Sequence, residues 1–458
     1  MGSSSSTVKH LASTRRVVVI AGPTAVGKSA LALKLCEELQ GELISVDSVQ
    51  VYRGLRIGSN KPSEAEVAAV RHHLLDVRDP DEEYTAGAFY ADALRAVEDI
   101  HARGKLPVLV GGTSMYMRWL ARGRPTAPKA DPAIAESVRL QLAPLEAASD
   151  WDSGIAKLEE LDPVRAAQLS RNDWYRLQRA ICVALQTDST AAALSRPDDS
   201  DGLDALRDSL DMRCFFVCAP RIPLCQRIDE RCDIMLGKGL LEETTDALLG
   251  GRLLPSSPAG RSIGYRQALS YLTRPNARQG DAKAYNDFVG EFAAASRRYA
   301  SQQTKWFRSE PSFEWVAADW DAPAKVERLV ASRITCERPE YDAGLASARQ
   351  EELRQKDPHL DKAMKIYEPN LPSLADPDAV AAMLTRADAC RERIEPRLEE
   401  LMAADAEMTE RFPWHRRDGE QEEAGSTSPK QQQQPKKKAK LTAQDKGADA
   451  SGTDGAEG

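Results

Sequence analysis

The sequence predicts an α/β fold: a parallel β-sheet flanked by helices, with a helical insertion domain and a helical C-terminal extension. Short apolar runs alternate with helical stretches, which is typical of a parallel sheet whose strands are joined by helices. The first apolar run, residues 17–20, leads into a complete G-x-x-x-x-G-K-S sequence at 22–29, and a helical pattern follows over 29–40. A strand that turns through two glycines into a helix N-terminus is the usual form of a phosphate-binding loop.

The strands are predicted at 16–21, 42–47, 106–111 and 213–218. Because a phosphate loop follows the first strand, the sheet is expected to be like that of P-loop NTPases. The stretch 122–211, between the third and fourth strands, is polar and helical, which indicates an inserted domain and not a part of the sheet. Helices around 223–249 and 282–308 are predicted to complete the core. Residues 376–412 are periodic, with a kink expected at Pro396.

The predicted organisation follows from these elements. The units are a disordered N-terminus (1–15), the first part of the P-loop core (16–121), a helical insertion (122–211), the second part of the core (212–316), a helical C-terminal extension (317–417) and a disordered tail (418–458). The tail contains a glutamine run and a lysine cluster. This lysine cluster is either a nuclear-import signal or part of a solvated tail.

Composition restricts the class of protein. The 458 residues are enough for several domains, and no apolar run approaches the ~20 residues that a membrane span requires. No membrane partner is therefore expected. The eight cysteines contain no C-x-x-C pair, which favours a reducing compartment. We expect a cytoplasmic protein and leave an organellar (mitochondrial or plastid) or nuclear pool open.

The net charge of −8 argues against a generally basic nucleic-acid binder, so such contacts must come from local patches. One basic patch, at 118–129, contains Arg118, Arg122, Arg124 and Lys129 without an acidic residue. A second, at 297–308, contains Arg297, Arg298, Lys305 and Arg308 with Tyr299, Trp306 and Phe307 between them. Basic residues mixed with aromatic ones suit a phosphate backbone with unstacked bases nearby, although either patch can equally be a solvated helix face.

Two polar residues, Asp47 and Thr113, are predicted to lie beside the phosphate loop, since ligands bind beyond the carboxyl ends of parallel strands. Asp47 closes the second strand, and Thr113 follows the third after two glycines. Asp47 can hold Mg²⁺, take a proton from a nucleophile or cap a turn. Arg227 and Arg231 are four residues apart, on one face if helical. They either close over phosphates as a lid or form surface pairs with neighbouring acids. The adjacent His72 and His73 point in different directions, which argues against a metal site.

Taken together, the motifs resemble the tRNA dimethylallyltransferases, also called tRNA isopentenyltransferases. The resemblance depends on the phosphate loop, on the segments 45–62, 72–77 and 110–116, and downstream on 162–163, 172–180 and 261–267. These segments occur in order from about residue 16 to residue 307. The similarity is therefore too long to be a coincidence of short motifs.

The resemblance implies transfer of a dimethylallyl group from dimethylallyl diphosphate to N6 of the adenosine 3′ of the tRNA anticodon. It implies that the phosphate loop holds a prenyl diphosphate, with Asp47 accepting the N6 proton or a hydrogen bond from that amine, and Thr113 beside the reacting centre. The diphosphate-binding set is Gly22, Pro23, Thr24, Ala25, Val26, Gly27, Lys28 and Ser29, with Arg227 or Arg231. The tRNA-binding set is Asp47, Ser48, Val49, Gln50, Tyr175, Arg176, Leu177, Gln178, Arg179, Arg261, Ser262, Ile263, Gly264, Tyr265 and Arg266.

The implied partners are the tRNA anticodon stem-loop and dimethylallyl diphosphate, and the expected oligomeric state is a monomer. Mg²⁺ is the expected cofactor, bound through Ser29 of the phosphate loop. No zinc is expected, because the cysteines and histidines after residue 316 lack ligand-like spacing.

Three alternative functions stay open on the sequence. An adenylate isopentenyltransferase, which makes cytokinins, has the same phosphate loop and aspartate, but the Gly111-Gly112-Thr113 ending and the long insertion favour tRNA. A P-loop nucleotide kinase uses similar parts, although nothing else in the chain requires ATP. A non-catalytic tRNA-binding protein would have an impaired site, whereas Lys28, Ser29, Asp47 and Thr113 are all present.

Overall fold

The computed structural model describes residues 14–124, 131–186, 203–274, 278–355 and 364–411. In this part of the chain, the strands form one parallel sheet with the order β3-β2-β4-β1-β5-β6. The strands are β1 (Arg16–Ala21), β2 (Gly41–Val46), β3 (His72–His73), β4 (Leu106–Gly111), β5 (Asp211–Cys218) and β6 (Glu314–Ala317). The predicted α/β class, with a parallel sheet flanked by helices, is confirmed.

Four of the strands are those predicted from apolar runs, with ends that differ by two residues or fewer. The central strand β1 pairs with β4 on one side and β5 on the other, and all six of its residues are buried. The two edge strands were not predicted. Strand β3 has two half-buried histidines, and β6 has four residues, one of them an exposed alanine. Such short strands carry too little apolar sequence to be recognised.

Helices follow the strands in the order expected for this class. They are α1 (Lys28–Leu39), α2 (Glu64–Ala69), α3 (Ala86–Ala102), α4 (Ser114–Arg122), α10 (Arg221–Gly237), α11 (Leu240–Leu249), α12 (Tyr265–Leu272) and α13 (Ala282–Phe307). Helix α1 begins at Lys28, within the phosphate-loop motif, and packs on β2 and β4. Helix α13 packs against α10 and α12. The N-terminus of α1 therefore lies at the carboxyl edge of the sheet, where the loops after β2 and β4 also emerge.

Residues 122–211 contribute helices only, apart from the first residue of β5, within the described ranges. They are α5 (Pro132–Ala147), α6 (Trp151–Glu159), α7 (Pro163–Ala166), α8 (Trp174–Gln186) and α9 (Leu203–Asp208). Helices α5 to α8 pack around a hydrophobic core of their own that includes Leu142, Trp151, Leu158 and Leu177. Helix α9 instead packs against α3.

The helices after β6 pack on the same core as the sheet. They are α14 (Pro323–Thr335), α15 (Arg338–Leu345), α16 (Ala348–Arg354), α17 (Pro372–Ala375), α18 (Pro377–Ile394) and α19 (Leu398–Arg411), with a 3₁₀ turn, Glu395–Arg397, between the last two. This turn contains Pro396, where the kink was predicted. Helix α14 packs on α1, and α18 packs on α11, α12 and α13. Buried residues of these helices, among them Val330, Ile334 and Ala387, belong to the main hydrophobic core.

Tyr341 shows how closely the C-terminal helices are joined to the sheet. Its side chain is buried, and its hydroxyl donates to the carbonyl of Cys214 at 2.8 Å and accepts the N–H of the same residue at 2.8 Å. Cys214 lies on β5 beside the central strand.

Among the helices in the described ranges, none is both long and apolar enough to cross a membrane. The proposed disordered ends lie outside the described residues, except for Thr14 and Arg15.

Candidate active site

The phosphate loop joins β1 to α1 through a backbone that needs small residues. Gly27 has a φ of 104° and Ala25 a φ of 65°, both in the left-handed region that favours glycine. A Cβ at Gly22 would lie 2.8 Å from the carbonyl oxygen of Val217 on β5. The two glycines of the motif are therefore required for different reasons. Gly22 allows the loop to approach the sheet closely, and Gly27 adopts the left-handed conformation that leads the chain into the helix. Ser29 is exposed on the first turn of α1.

Lys28 folds back over this loop. Its ammonium donates to the carbonyl of Pro23 at 3.4 Å. Burial, followed by the positive charge of Arg231, lowers the pKa of Lys28 from 10.5 to about 8, and Asp47 opposes that shift. A lysine whose charge is disfavoured by its surroundings gains most when an anion arrives. The electrostatics therefore indicate a receptor for an anionic group.

Arg231, on α10, is the second cation of this receptor. Burial lowers the pKa of its guanidinium, while Cys232 and then Asp47 act in the opposite direction. Its Nε atom is buried without a hydrogen-bond partner in the described part of the chain. A buried donor without a partner is costly unless a ligand supplies the acceptor. Lys28, Arg231 and Asp47 lie within electrostatic reach of one another, whereas the sequence left the choice between Arg227 and Arg231 open.

Arg227 lies one turn earlier on α10 and has a different environment. Its side chain is exposed, and its Nε donates to the carbonyl of Ala25 at 3.3 Å. Its guanidinium carbon lies 4.6 Å from the ring centroid of Trp320. Trp320 in turn donates its indole N–H to the carbonyl of Val26 at 2.9 Å. Both arginines thus lie beside the phosphate loop. Arg231 is close to Lys28 and Asp47, and Arg227 lies on the solvent-exposed side of the loop.

Asp47 follows β2 and shapes the turn after it. Its Oδ1 accepts the backbone N–H groups of Val49 at 2.8 Å and Gln50 at 3.2 Å. The N–H of the exposed Ser48 donates to the hydroxyl of Thr113 at 3.2 Å. Asp47 is therefore a turn former, which was one prediction from the sequence, and also a carboxylate within electrostatic reach of Lys28 and Arg231. The two roles use one side chain.

The loop after β4 approaches this turn very closely. A Cβ at Gly111 would lie 2.0 Å from the carbonyl oxygen of Val46, and one at Gly112 would lie 2.2 Å from Nε2 of Gln303. Only glycine fits at both positions. The Gly111-Gly112-Thr113 sequence therefore brings Thr113 against the Asp47 turn, as its position after the strand predicted.

Gln303 and Tyr299, four residues apart on α13, were not identified as site residues. Gln303 is buried and donates from Nε2 to the carbonyl of Gly112 at 2.8 Å. Its Oε1 accepts the N–H of Thr24 at 3.0 Å. The Tyr299 hydroxyl lies 3.4 Å from the same Gly112 carbonyl, and burial and the Asp47 carboxylate raise its pKa. Their spacing of four residues places both side chains on one face of α13, which was the signal in the sequence that could have identified them. The basic residues around them instead suggested a solvated or RNA-binding surface.

Glu243, on α11, was also missed. Its carboxylate accepts three successive backbone N–H groups: those of Arg56 at 2.7 Å, Ile57 at 2.8 Å and Gly58 at 2.9 Å. The hydroxyl of Tyr265 donates to it at 2.6 Å. A Cβ at Gly58 would lie 2.4 Å from the Tyr265 ring. Tyr265 is fully buried, so its side chain supports this loop and is not available to tRNA in this conformation.

Gln50 connects the same loop to the Asp47 turn. Its Nε2 donates to the carbonyls of Ser59 at 3.2 Å and Asn60 at 3.1 Å, and its Oε1 accepts the Ser45 hydroxyl at 2.8 Å. Further along the loop, Lys61 forms an ion pair of 2.6 Å with Asp76. The segments 45–62 and 72–77 are therefore joined in space as well as in sequence pattern.

The other predicted tRNA-binding residues divide by exposure. On α8, Tyr175 is 60% exposed and Arg176 is also exposed, whereas Leu177 and Gln178 are buried. Arg179 is partly buried. In the second segment, Arg261, Ser262, Ile263 and Arg266 are partly buried, and Gly264 is buried with Tyr265. Side-chain contact with RNA is thus open to part of each segment only.

The two basic patches are largely engaged inside the protein. Arg118 and Arg122 each lie 2.7 Å from the carboxylate of Glu310, which is fully buried, and Arg124 lies 3.1 Å from Asp204. In the second patch, Arg297 is ion-paired with the buried Asp229 and Arg308 donates to the carbonyl of Arg354. Lys129 lies outside the described residues. The patches therefore offer less free positive charge than the sequence indicated.

His72 and His73 have separate partners, in keeping with their adjacency. His73 Nε2 lies 2.7 Å from Glu42, and His72 Nδ1 lies 2.7 Å from the carbonyl of Val70. Within the described ranges, no group of three or more His, Cys, Asp or Glu residues is arranged to hold a metal ion. The cysteines in these ranges are free, and all except Cys336 are buried.

Comparison with known proteins gives consistent relatives. The IPP transferase family model matches residues 50–310. The chain is 38% identical over 337 residues to tRNA dimethylallyltransferase 9 of Arabidopsis thaliana, covering 68% of this chain and 73% of the relative. It is 41% identical over 300 residues to the tRNA dimethylallyltransferase of Methylococcus capsulatus, covering 66% and 91%. A crystal structure of a eukaryotic dimethylallyltransferase acting on tRNA superposes with a TM-score of 0.56 at 26% identity, covering 75% of this chain and 84% of the other.

Proposed function

The chain belongs to the IPP transferase family, and from this membership we propose that it transfers the dimethylallyl group of dimethylallyl diphosphate to N6 of the adenosine 3′ of the tRNA anticodon. The products are N6-isopentenyladenosine in tRNA and diphosphate. The observation that carries the proposal is the meeting of Lys28, Arg231 and Asp47 at the phosphate loop. The two cations can neutralise an anionic leaving group there, and the Asp47 carboxylate lies within electrostatic reach of both.

The reaction breaks the bond between the allylic carbon and the diphosphate oxygen, and forms a bond between that carbon and N6. As the allylic carbon loses its oxygen, negative charge gathers on diphosphate. Lys28 and Arg231 neutralise that charge at a site whose burial strengthens the interaction. We infer that Arg231 is the principal arginine ligand because its Nε atom is buried without a partner. Arg227 would close the outer side.

The nucleophile is the exocyclic amine, which must lose one proton as it bonds to carbon. Asp47 is suited to accept that proton, since its Oδ1 is fixed by the turn N–H groups of Val49 and Gln50. A fixed general base in hydrogen-bond reach contributes about 10²–10⁴-fold to a rate. Thr113 is held against the same turn and would lie beside the reacting atoms.

The cofactor we propose is Mg²⁺. This ion keeps several waters and binds through one or two carboxylates together with substrate phosphates. The exposed Ser29 would supply one hard oxygen donor, and the diphosphate oxygens and waters would supply the others, so such a shared site needs no cluster of protein ligands. When bound with diphosphate, Mg²⁺ would neutralise charge on the leaving group.

The tRNA contacts we propose are supplied by the Asp47–Gln50 turn, by α8 and by the partly buried residues of 261–266. The large exposed ring of Tyr175 next to Arg176 suits an unstacked base and its phosphate. Reaching N6 requires the adenine to leave its stack, which costs a few kcal/mol and least in a single-stranded loop. An anticodon loop meets that requirement.

We further propose the domain organisation stated above, with 122–211 as the tRNA-binding insertion. The separate hydrophobic core of α5 to α8 supports an independent unit. We also propose a monomer, located in the cytoplasm with an organellar or nuclear pool open. The free and mainly buried cysteines suit a reducing compartment. No membrane partner is proposed.

The test is nucleoside mass spectrometry after incubation of the purified protein with Mg²⁺, dimethylallyl diphosphate and either unmodified tRNA or AMP. We expect isopentenyladenosine in the tRNA digest only, and none with Lys28→Ala. Product from AMP would replace the proposed acceptor by a free nucleotide. A lack of product from either acceptor would overturn the proposal.

A further inference from the structure

Trp320 lies in the turn after β6, ten residues beyond the end of the family match at residue 310. The backbone N–H of Ala318 donates to the carbonyl of Cys218 at 2.8 Å, which continues the pairing of β6 with β5. Asp319 then accepts the N–H of Ala322 at 2.9 Å and closes the turn. Trp320 is thereby held at the carboxyl edge of the sheet, where the phosphate loop lies.

Two contacts join Trp320 to the site. Its indole N–H donates to the carbonyl of Val26 at 2.9 Å, and its ring lies 4.6 Å from the guanidinium carbon of Arg227. Arg227 also contacts the phosphate loop directly, because its Nε donates to the carbonyl of Ala25 at 3.3 Å. Two successive carbonyls of the phosphate loop are therefore bonded from the same side by one stacked pair of side chains.

This arrangement has a direct consequence for anion binding. A phosphate loop works when its N–H groups point at the ligand, and carbonyls held from outside fix the peptide planes in that orientation. Arg227 is exposed, and a free arginine loses side-chain entropy when it binds. Stacking on an aromatic ring restricts it before the ligand arrives.

We propose that Trp320 is a positioning residue of the diphosphate site, which holds the phosphate loop through Val26 and orients Arg227 over it. The inference rests on the proposed function of that loop as a diphosphate site. It assigns part of the site to the segment after β6. Helix α14 follows Trp320 and packs against α1, the helix that the phosphate loop begins. The phosphate loop at Val26 and the helix that follows it are thus both supported by the segment after β6.

The experiment compares two substitutions of increasing severity. Trp320→Phe keeps a ring under Arg227 but removes the indole N–H, and Trp320→Leu removes both. Each is titrated with Mg²⁺ and inorganic diphosphate by calorimetry, beside Trp151→Phe as a matched control in the separate core of the insertion. Trp320→Phe, which loses one hydrogen bond, should bind diphosphate about threefold more weakly, and Trp320→Leu, which also loses the stack, about tenfold or more. The control should bind diphosphate as the natural protein does.

Two further readouts separate positioning from a general structural role. With dimethylallyl diphosphate and tRNA, KM for the diphosphate should rise in the order natural protein, Trp320→Phe, Trp320→Leu, while kcat at saturation changes little and KM for tRNA stays constant. In an Arg227→Ala background, Trp320→Leu should cost less than it does alone, because part of its effect acts through Arg227.

The outcomes are distinguishable. If the natural protein itself does not bind diphosphate, or Lys28→Ala binds it equally well, the proposed function of the loop fails. If the natural protein binds diphosphate and Trp320→Phe and Trp320→Leu bind it equally well, the role of Trp320 is overturned and the site stands. Equal losses in kcat and in both KM values, with a lowered melting temperature, would also overturn positioning in favour of a general structural role.

Discussion

The side-chain amide of Gln303 accepts the backbone N–H of Thr24 at 3.0 Å and, through its other end, binds the loop after β4 at the Gly112 carbonyl. One buried side chain on α13 therefore sets the separation between the phosphate loop and the loop that carries Thr113. The diphosphate end and the acceptor end of the site are linked by this amide. A displacement of the Gln303 side chain would therefore move both the phosphate loop and the loop that carries Thr113.

Replacing Gln303 by Met keeps the volume and removes both hydrogen bonds. The Thr24 N–H and the Gly112 carbonyl would then be left without this partner, at about 1–3 kcal/mol for each buried group. We expect a loss of a few kcal/mol in the free energy of unfolding, measured by urea denaturation, and weaker diphosphate binding. The exposed neighbour Gln302 gives the matched control, since Gln302→Met should change neither. An equal loss in both variants would contradict the linking role.

The parts of the fold that follow from local pattern could be predicted from the sequence. Strands β1, β2, β4 and β5 are apolar runs, and the phosphate loop has a fixed glycine spacing, so both were located within two residues. Asp47 and Thr113 were placed correctly because strand ends in a parallel sheet share one edge. What could be predicted was thus set by a few neighbouring residues at a time.

The missing parts depend on contacts between distant segments. Glu243 binds a loop 185 residues away at Gly58, and Trp320 binds Val26 across 294 residues. No spacing rule connects such pairs. The partners of the basic patches could not be seen in the sequence for the same reason, because the buried partner of Arg118 is Glu310, 192 residues later. A charge run in sequence does not reveal which of its members are already neutralised.

Asp47→Asn should separate chemistry from tRNA binding more cleanly than Asp47→Ala. The Asn side chain retains an oxygen that can accept the N–H groups of Val49 and Gln50, so the turn persists. It cannot accept the N6 proton, and single-turnover rates should fall by about 10²–10⁴-fold. The dissociation constant for tRNA, measured by filter binding, should stay within about twofold. Asp47→Ala should weaken tRNA binding further by releasing the turn. Full activity in the Asn variant would remove Asp47 from the chemistry.

The pKa of Lys28, lowered to about 8, predicts a pH dependence of diphosphate binding. Below pH 8 the ammonium is charged and binds the anion. As the pH rises through 8 the free protein loses that charge, and affinity should fall by up to about tenfold per pH unit. Lys28→Arg is the control because arginine stays charged over this range. The protonation of diphosphate itself affects binding to both proteins equally. The ratio of the two dissociation constants from pH 6.5 to 9.5 isolates Lys28, and a constant ratio would contradict the shift.

The same pKa makes a prediction for the unliganded protein. The folded value of about 8 lies below the ordinary value of 10.5, so between these pH values the unfolded chain binds the extra proton. Stability from this group therefore rises with pH across that window and is lowest below pH 8. Lys28→Met should raise the melting temperature at pH 7, modestly because Lys28 is only partly buried, and the gain should vanish by about pH 10.5. A gain that is the same at both pH values would instead reflect packing.

The ion pairs predict which arginines affect tRNA binding. Arg176 is exposed on α8, and its guanidinium lies 3.1 Å from the neighbouring carboxylate of Asp173. Arg176→Ala should therefore reduce the slope of log Kd against log salt by roughly 0.7–0.9 if Arg176 contacts one phosphate. Arg118→Ala should leave that slope unchanged. It should instead lower stability by about 1–3 kcal/mol, because Glu310 is buried and loses one of its two arginines. Fluorescence anisotropy at several salt concentrations, together with urea denaturation, tests both. A reduced slope for Arg118→Ala would return the first basic patch to the tRNA-binding surface.

Gly58→Ala should damage the site through Tyr265 although neither residue belongs to the phosphate loop. The added methyl group would lie 2.4 Å from the Tyr265 ring, and that ring is held by the hydrogen bond of its hydroxyl to Glu243. Either the ring or the loop 56–60 must move, at about 1–3 kcal/mol. Because the Ser59 and Asn60 carbonyls bind the amide of Gln50, a displaced loop should also lower activity with tRNA.

Gly290→Ala is the matched control for this effect. Gly290 lies within α13, and a Cβ there would have no atom within 4 Å, so alanine should stabilise the helix by about 0.5–1 kcal/mol. Opposite shifts of the two variants in urea denaturation are therefore expected. Gly58→Ala should cost less in a Tyr265→Ala background than in the natural protein, since the smaller side chain at 265 leaves room for the methyl group. If Gly58→Ala were as stable and active as the natural protein, the loop would be free to relax, and the Glu243–Tyr265 support would not control the position of Gln50.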